Sequence, residues 1–212
     1  MLPHQGRLAW VAEDFSTATY TLMPLAAGIN LTGDWLAGYV FHLPLYLDSI
    51  GTVLVAALCG PFAAALTGIV SDLVAGALLS PTNAPFAITA AVIGLVAGGL
   101  ARAGVFRNSP EPHSIMKNVS KVVVAGVLVG VISATVSTPI AAYLFNGLTG
   151  GGTDLVVAFF EAHGFSILLS TWLQSLSVDP YDKLITFILV ALVVRNLPLR
   201  VTGYFPRGHQ VR

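Results

Sequence analysis

The chain has 212 residues, of which 55% are hydrophobic and only 9% charged, and its mean hydropathy is +0.81. A soluble domain carries about 25% charged residues, so this chain has too few polar groups to cover a water-facing surface. Ten Lys and Arg balance ten Asp and Glu, which removes the bulk positive charge of a nucleic-acid binder. The apolar runs are continuous rather than alternating, which excludes an outer-membrane barrel. The composition therefore predicts an all-α, polytopic membrane protein, a single integral membrane domain over 1–212 with its helices in a compact bundle.

Residues 1–14 hold Arg7, Glu13 and Asp14 and no uninterrupted apolar stretch, so they read as a short cytoplasmic lead-in rather than a cleaved signal peptide. Six transmembrane helices follow, at about 15–33, 47–60, 61–79, 85–103, 119–145 and 181–197. The second and third meet at Gly60-Pro61, a helix stop followed by a helix start. Cys59 is the single cysteine, so no intramolecular disulfide forms. Between the fifth and sixth spans, 146–180 is expected to be an external loop. After Gly150-Gly151-Gly152, Leu155, Phe159, Ala162, Ser166, Leu169, Trp172 and Leu176 recur at helical spacing. That predicted helix, 154–176, is interfacial, re-entrant, a lid or a seventh span.

The ten cations set the orientation. Arg7, Arg102, Arg107, Lys117, Lys121, Arg195, Arg200, Arg207 and Arg212 all fall on one side if six spans cross and both termini are cytoplasmic. Lys183, at the expected outer start of the last span, is the exception. A seventh span would put the C-terminal Arg cluster outside.

Small residues recur every four positions in four spans: Asp48, Thr52, Ala56 and Gly60; Ala64, Gly68, Asp72, Gly76 and Ser80; Ala90, Gly94 and Gly98; Gly126, Gly130, Ala134 and Thr138. Such faces let helix backbones approach in lipid. Asp72 shares its face with Gly68 and Gly76, so it points into the bundle, about 12 Å below the outer end near Ser80. A carboxylate facing lipid there would cost about 2.5–3.5 kcal/mol. Two roles remain open for it, a satisfied structural carboxylate and a cavity group. Other polar groups gather at the same level or above it: Asn30, Asp48, Asn83, Tyr143, Asp179, Asp182 and Lys183. With Asp34, Trp35, His42 and Tyr46 of the first external loop and Trp172 of the last, they suggest a polar cavity open to the outside. Trp10, Trp35 and Trp172 equally suit interfacial anchors.

No Walker A, HExxH, GxSxG or paired Cys/His set is present, and Glu161 and His163, two apart, point to different helix faces. Neither an enzyme nor a cofactor or metal is expected, and active uptake would need a partner ATPase or an ion gradient.

The run from Leu43 to Arg102, "LPLYLDSIGTVLVAALCGPFAAALTGIVSDLVAGALLSPTNAPFAITAAVIGLVAGGLAR", resembles the substrate-binding S components of energy-coupling factor (ECF) transporters. The resemblance rests on Asp48-Ser49-Ile50-Gly51-Thr52, Gly60-Pro61, Gly68, Ser80-Pro81-Thr82-Asn83 and Gly94/Gly98/Gly99, and extends to "DPYDKLITFILVALVVRNLP" with Asp182-Lys183 and Arg195. It implies a subunit of the plasma membrane that captures a vitamin or precursor from outside. Such a subunit passes its cargo to a transmembrane coupling subunit driven by two ATPase subunits. It also implies binding residues in the Trp35–Tyr46 segment, at Asn83, at the outer end of the fifth span and from Trp172 to Lys183. Docking in the family uses a small-xxx-small face of the first helix; here the nearest matches are Thr17/Thr21 and Pro24/Gly28. Acidic groups outnumber Lys on the expected outer side, which points to a neutral or cationic ligand. The competing readings are a self-sufficient ion-coupled carrier, with Asp72 and Lys183 as relays, and a ligand-free membrane scaffold.

Overall fold

The computed structural model describes residues 9–107, 112–150 and 153–211, and among these every regular element is helical. Arg7, Gly151, Gly152, Arg212 and the start of the expected lead-in lie outside the described residues, as do the side chains of Trp10 and Lys117. In chain order the helices are α1 (Ala9–Ala12), α2 (Thr17–Asp34), α3 (Ile50–Leu58), α4 (Pro61–Leu78), α5 (Ala87–Arg102), α6 (Pro112–Phe145), α7 (Asp154–Ala162), α8 (Ile167–Asn196) and α9 (Leu199–Thr202). A π-helical turn, Trp35–Val40, extends α2, and a 3-10 turn, Pro81–Phe86, leads into α5.

Local chemistry sets the boundaries. Ser16 caps α2, its hydroxyl accepting from the Thr19 amide at 3.2 Å. Gly60 adopts φ 123°, a conformation open to glycine, and Pro61 starts α4 at the position where its missing N–H costs nothing. The stop–start expected from Gly60-Pro61 is present as such.

The helices run back and forth between two ends of the bundle. At one end Asp14, fully buried, accepts from Arg207 at 2.9 and 3.0 Å, from Arg102 at 3.1 Å and from the Phe62 amide at 3.0 Å. That carboxylate ties together the start of α2, the start of α4, the end of α5 and the C-terminal tail. At the other end Phe86 stacks on Phe145, with ring centroids 6.1 Å apart. α2, α4 and α6 lead from the Asp14 end to this one; α3, α5 and α8 return.

Close packing uses the small residues. A Cβ placed on Gly68 would meet Ala90 at 2.8 Å; one on Gly94 would overlap Ala64 and Ala65, and one on Gly98 would overlap Pro61. α4 and α5 thus lie backbone to backbone. α6 and α8 form the most extensive pair, with Gly126 against Leu184 and Gly130 against Pro180. Outward, Leu66, Val70 and Leu73 of α4, Val124 and Leu128 of α6 and Leu192 and Val193 of α8 are exposed, an apolar belt of the kind lipid covers. Among the described residues three helices are long and apolar enough to cross a membrane: Pro61–Leu78, Pro81–Arg102 and Asn118–Phe145. α3, with nine residues, spans only about 14 Å.

Two expectations change. The single helix drawn over 154–176 is two: α7 ends at Ala162, the chain turns through Gly164 at φ 87°, and Ser166 caps α8. With nine residues, α7 is too short to be a seventh span. The last helix does not open at residue 181; α8 runs 30 residues through Pro180. An internal proline forfeits one helix hydrogen bond and crowds the preceding turn. Here α8 continues through Pro180, which packs against Gly130 of α6. Asp179 consequently sits in mid-helix rather than in a loop, and Asp182 and Lys183 in mid-helix rather than at a helix start.

Candidate functional site

At the end opposite Asp14 the bundle encloses a cavity of about 280 Å³, just under the roughly 300–1,000 Å³ usual for small-molecule pockets. Its wall is built from α2 and its π-helical turn, the 42–49 loop, α4, the Pro81–Phe86 turn, α5, α6, Thr149, Gly150 and Thr153, and α8. Eight of the twelve sequence-nominated binding residues meet there: Asn30, Asp34, Tyr46, Asp48, Asp72, Asn83, Asp179 and Lys183.

Their roles in the wall differ. Asn30 is fully occupied: its Nδ2 donates to Thr52 at 2.8 Å and Ser71 at 3.0 Å, and its Oδ1 accepts from the Gly51 amide at 2.7 Å. It joins α2, α3 and α4 at the cavity floor. Lys183, 1% exposed, donates to Asp182 at 2.7 Å and Asp48 at 2.8 Å. Asp182 does not line the cavity. Its second oxygen accepts from the amides of Tyr46 at 3.0 Å and Leu47 at 2.8 Å, which straps the 42–49 loop, part of the cavity wall, to α8. Leu47 reaches this position in the left-handed region, at φ 51°. Gln174 reinforces the strap by donating to the Tyr46 hydroxyl at 3.3 Å. Burial, with Asp179 nearby, raises the Tyr46 phenol above its ordinary range and keeps it protonated.

Asp34 accepts from Asn83 at 3.0 Å, linking the end of α2 to the turn before α5. Asp72 is half-buried and makes no hydrogen bond or ion pair among the described residues. Asp179, 3% exposed, has Ser133 of α6 beside it. The carboxylates are therefore in two conditions, with Asp48 and Asp182 sharing the single charge of Lys183, and Asp34, Asp72 and Asp179 lacking a cation within ion-pair distance.

Trp35, Tyr143 and Trp172 lie outside the cavity, 48%, 70% and 37% exposed on the outer surface. Each belongs to a helix or turn whose other face lines the cavity, and helical phase turns it outward. The residues nominated for docking, Thr17, Thr21, Pro24 and Gly28, are all exposed and follow one face of α2; nothing lies within 4 Å of a Cβ built on Gly28.

Sequence reasoning did not single out Ser71, Thr89, Ser133, Gln174 and Ser175, all of which line the cavity. Ser71 lies one residue before Asp72, and Ser175 and Gln174 lie one turn before Asp179. Polar side chains flanking an intramembrane carboxylate at helical spacing were the signal available. Among the described residues no group of three or more His, Cys, Asp or Glu side chains is placed to hold a metal ion. No protein-family model, curated protein or solved structure matches the chain.

Proposed function

We propose that this chain is the membrane-embedded substrate-capture subunit of an ECF-type transporter. It crosses the plasma membrane six times, with both termini cytoplasmic, and takes a small vitamin-like molecule from outside. The observation that carries this reading is the cavity: a bundle packed elsewhere through small residues holds, at one end, a chamber lined by both apolar and polar side chains and walled in part by a strapped loop. The cations favour the orientation. Arg102 and Arg207 are engaged by Asp14 at the far end, so the positive-inside rule puts that end in the cytoplasm and the cavity outside.

Energy for release then comes from partners, a coupling subunit and two ATPase subunits. The exposed Thr17–Thr21–Pro24–Gly28 face of α2 is where we place the coupling subunit, because its small side chains admit close approach by a second helix. The test is co-expression with an ECF energising module and uptake of radiolabelled vitamins. Co-purification of the ATPases and ATP-dependent uptake support the reading; ion-driven uptake by the lone chain in liposomes replaces it with a self-sufficient carrier. That second reading is favoured by one observation, the Asp72 carboxylate lying in the bundle without an ion-pair partner among the described residues.

A further inference from the structure

The cavity wall holds a specific imbalance. Asp34, Asp48, Asp72 and Asp179 line it, and Lys183 is the one Lys or Arg among its described lining residues. The Lys183 charge is already divided between Asp48 and Asp182, one at 2.8 Å and the other at 2.7 Å. Asp72 stays without a hydrogen bond, and the carboxylates of Asp48 and Asp34 are within electrostatic reach of it, as is the shared Lys183 ammonium. Bringing another negative group there adds repulsion in a medium of low dielectric, whereas a positive one relieves it.

That count, four carboxylates to one ammonium, leaves a place for a cationic ligand. A bare metal ion does not fill it, since no metal-holding cluster is present among the described residues. Tyr39, Tyr46 and Phe86 also line the chamber, and aromatic rings attract a flat cationic group.

We propose that the cavity takes an organic cation, a flat nitrogen-bearing small molecule whose protonated amine or amidine sits against Asp72, with Asp34 beside it. This inference rests on the capture reading, and its test needs no transport partner.

The full chain, purified in mild detergent, is examined by native mass spectrometry for retained small molecules. It is then titrated, by thermal shift, with three indoles of matched shape: tryptamine, tryptophol and indole-3-acetate. A retained ligand that is cationic at neutral pH, with tryptamine raising the midpoint more than tryptophol and indole-3-acetate least, is the expected result. Asp72→Asn, whose own melting curve reports that it is folded, weakens tryptamine at least tenfold, and Asp34→Asn weakens it less. Equal shifts for the three indoles, or a retained neutral or anionic ligand, overturn the cation assignment and leave the capture reading standing. An inorganic cation that alone shifts the midpoint also overturns it. No retained ligand and no response to any indole overturn both readings.

Discussion

Removing the Lys183 ammonium is the sharpest test of how the 42–49 loop is held against α8. Lys183→Met keeps most of the apolar stem but leaves Asp182, 0% exposed, as an unpaired buried charge with only the Tyr46 and Leu47 amides to solvate it. Breaking a buried pair by removing one partner costs about 3–5 kcal/mol, because the remaining charge is stranded in low dielectric. Asp48 loses the same partner but is 36% exposed at its side chain, so water offsets most of its loss. Adding Asp182→Asn to Lys183→Met removes the stranded charge while Asn keeps an oxygen for both amides. The double variant should therefore recover more than half of the loss. Reversible unfolding in SDS, in the absence of ligand, measures all four members of the cycle, and the coupling should be about 2 kcal/mol or more. A single variant within about 0.5 kcal/mol of the wild type, or a double variant no better than the single, refutes the stranded-charge account.

Further outcomes follow from the same packing. Gly130→Val, whose Cβ would overlap the Pro180 backbone, should force α6 and α8 apart and cost about 1–3 kcal/mol in the same unfolding assay, while Gly28→Ala, with open space around it, should cost less than about 0.5 kcal/mol. Asn30→Leu leaves the Gly51 amide, Thr52 and Ser71 without their shared partner, and should lower stability by about 1–3 kcal/mol. Asp14→Asn weakens the anchor on Arg207 and should speed limited proteolysis within 199–211, read by mass spectrometry, before the rest of the chain is cut. Tyr143→Ala, 70% exposed and outside the cavity, should leave the affinity for any retained ligand unchanged.

Much of the helical order was legible because glycine and proline act locally. Gly60-Pro61 sets the α3–α4 junction through backbone geometry that needs no tertiary partner. The four-residue spacing of Gly68, Gly94, Gly126 and Gly130 places them on faces that pack, since period alone decides which side of a helix a residue occupies. What stayed illegible depends on contacts distant in sequence. Nothing local reveals that Pro180 is carried inside α8, where it packs against Gly130, fifty positions earlier. Likewise Asp182 and Lys183 read as residues opening a helix, whereas their partners are the amides of Tyr46 and Leu47 and the carboxylate of Asp48. The aromatic nominations show the converse. Trp35, Tyr143 and Trp172 lie at the right level of the bundle but on the wrong side of their turns, and level is easier to read from sequence than rotation.

The two ends of the bundle show why carboxylate burial alone does not mark a site. Asp14 and Asp72 are both aspartates inside an apolar chain, yet Asp14 is met by two guanidinium groups and the Phe62 amide. Its hydrogen-bonding capacity is spent on four segments of the fold, which makes it a cross-link with nothing left for a ligand. Asp72 lies in an equally apolar helix, where a cation one turn away would have neutralised it, and the sequence puts Gly68 and Gly76 at those positions instead. Glycine there brings α4 against Ala90 and Ala84 but supplies no partner, so the carboxylate is left facing the chamber. Replacing Gly76 with a cationic residue would satisfy Asp72 only by driving α4 off Ala84, whose side chain lies 2.7 Å from a Cβ at that position. Close packing and an unpaired carboxylate are thus linked in this helix: the residues that let it pack are the ones that leave Asp72 free to meet something from outside the chain.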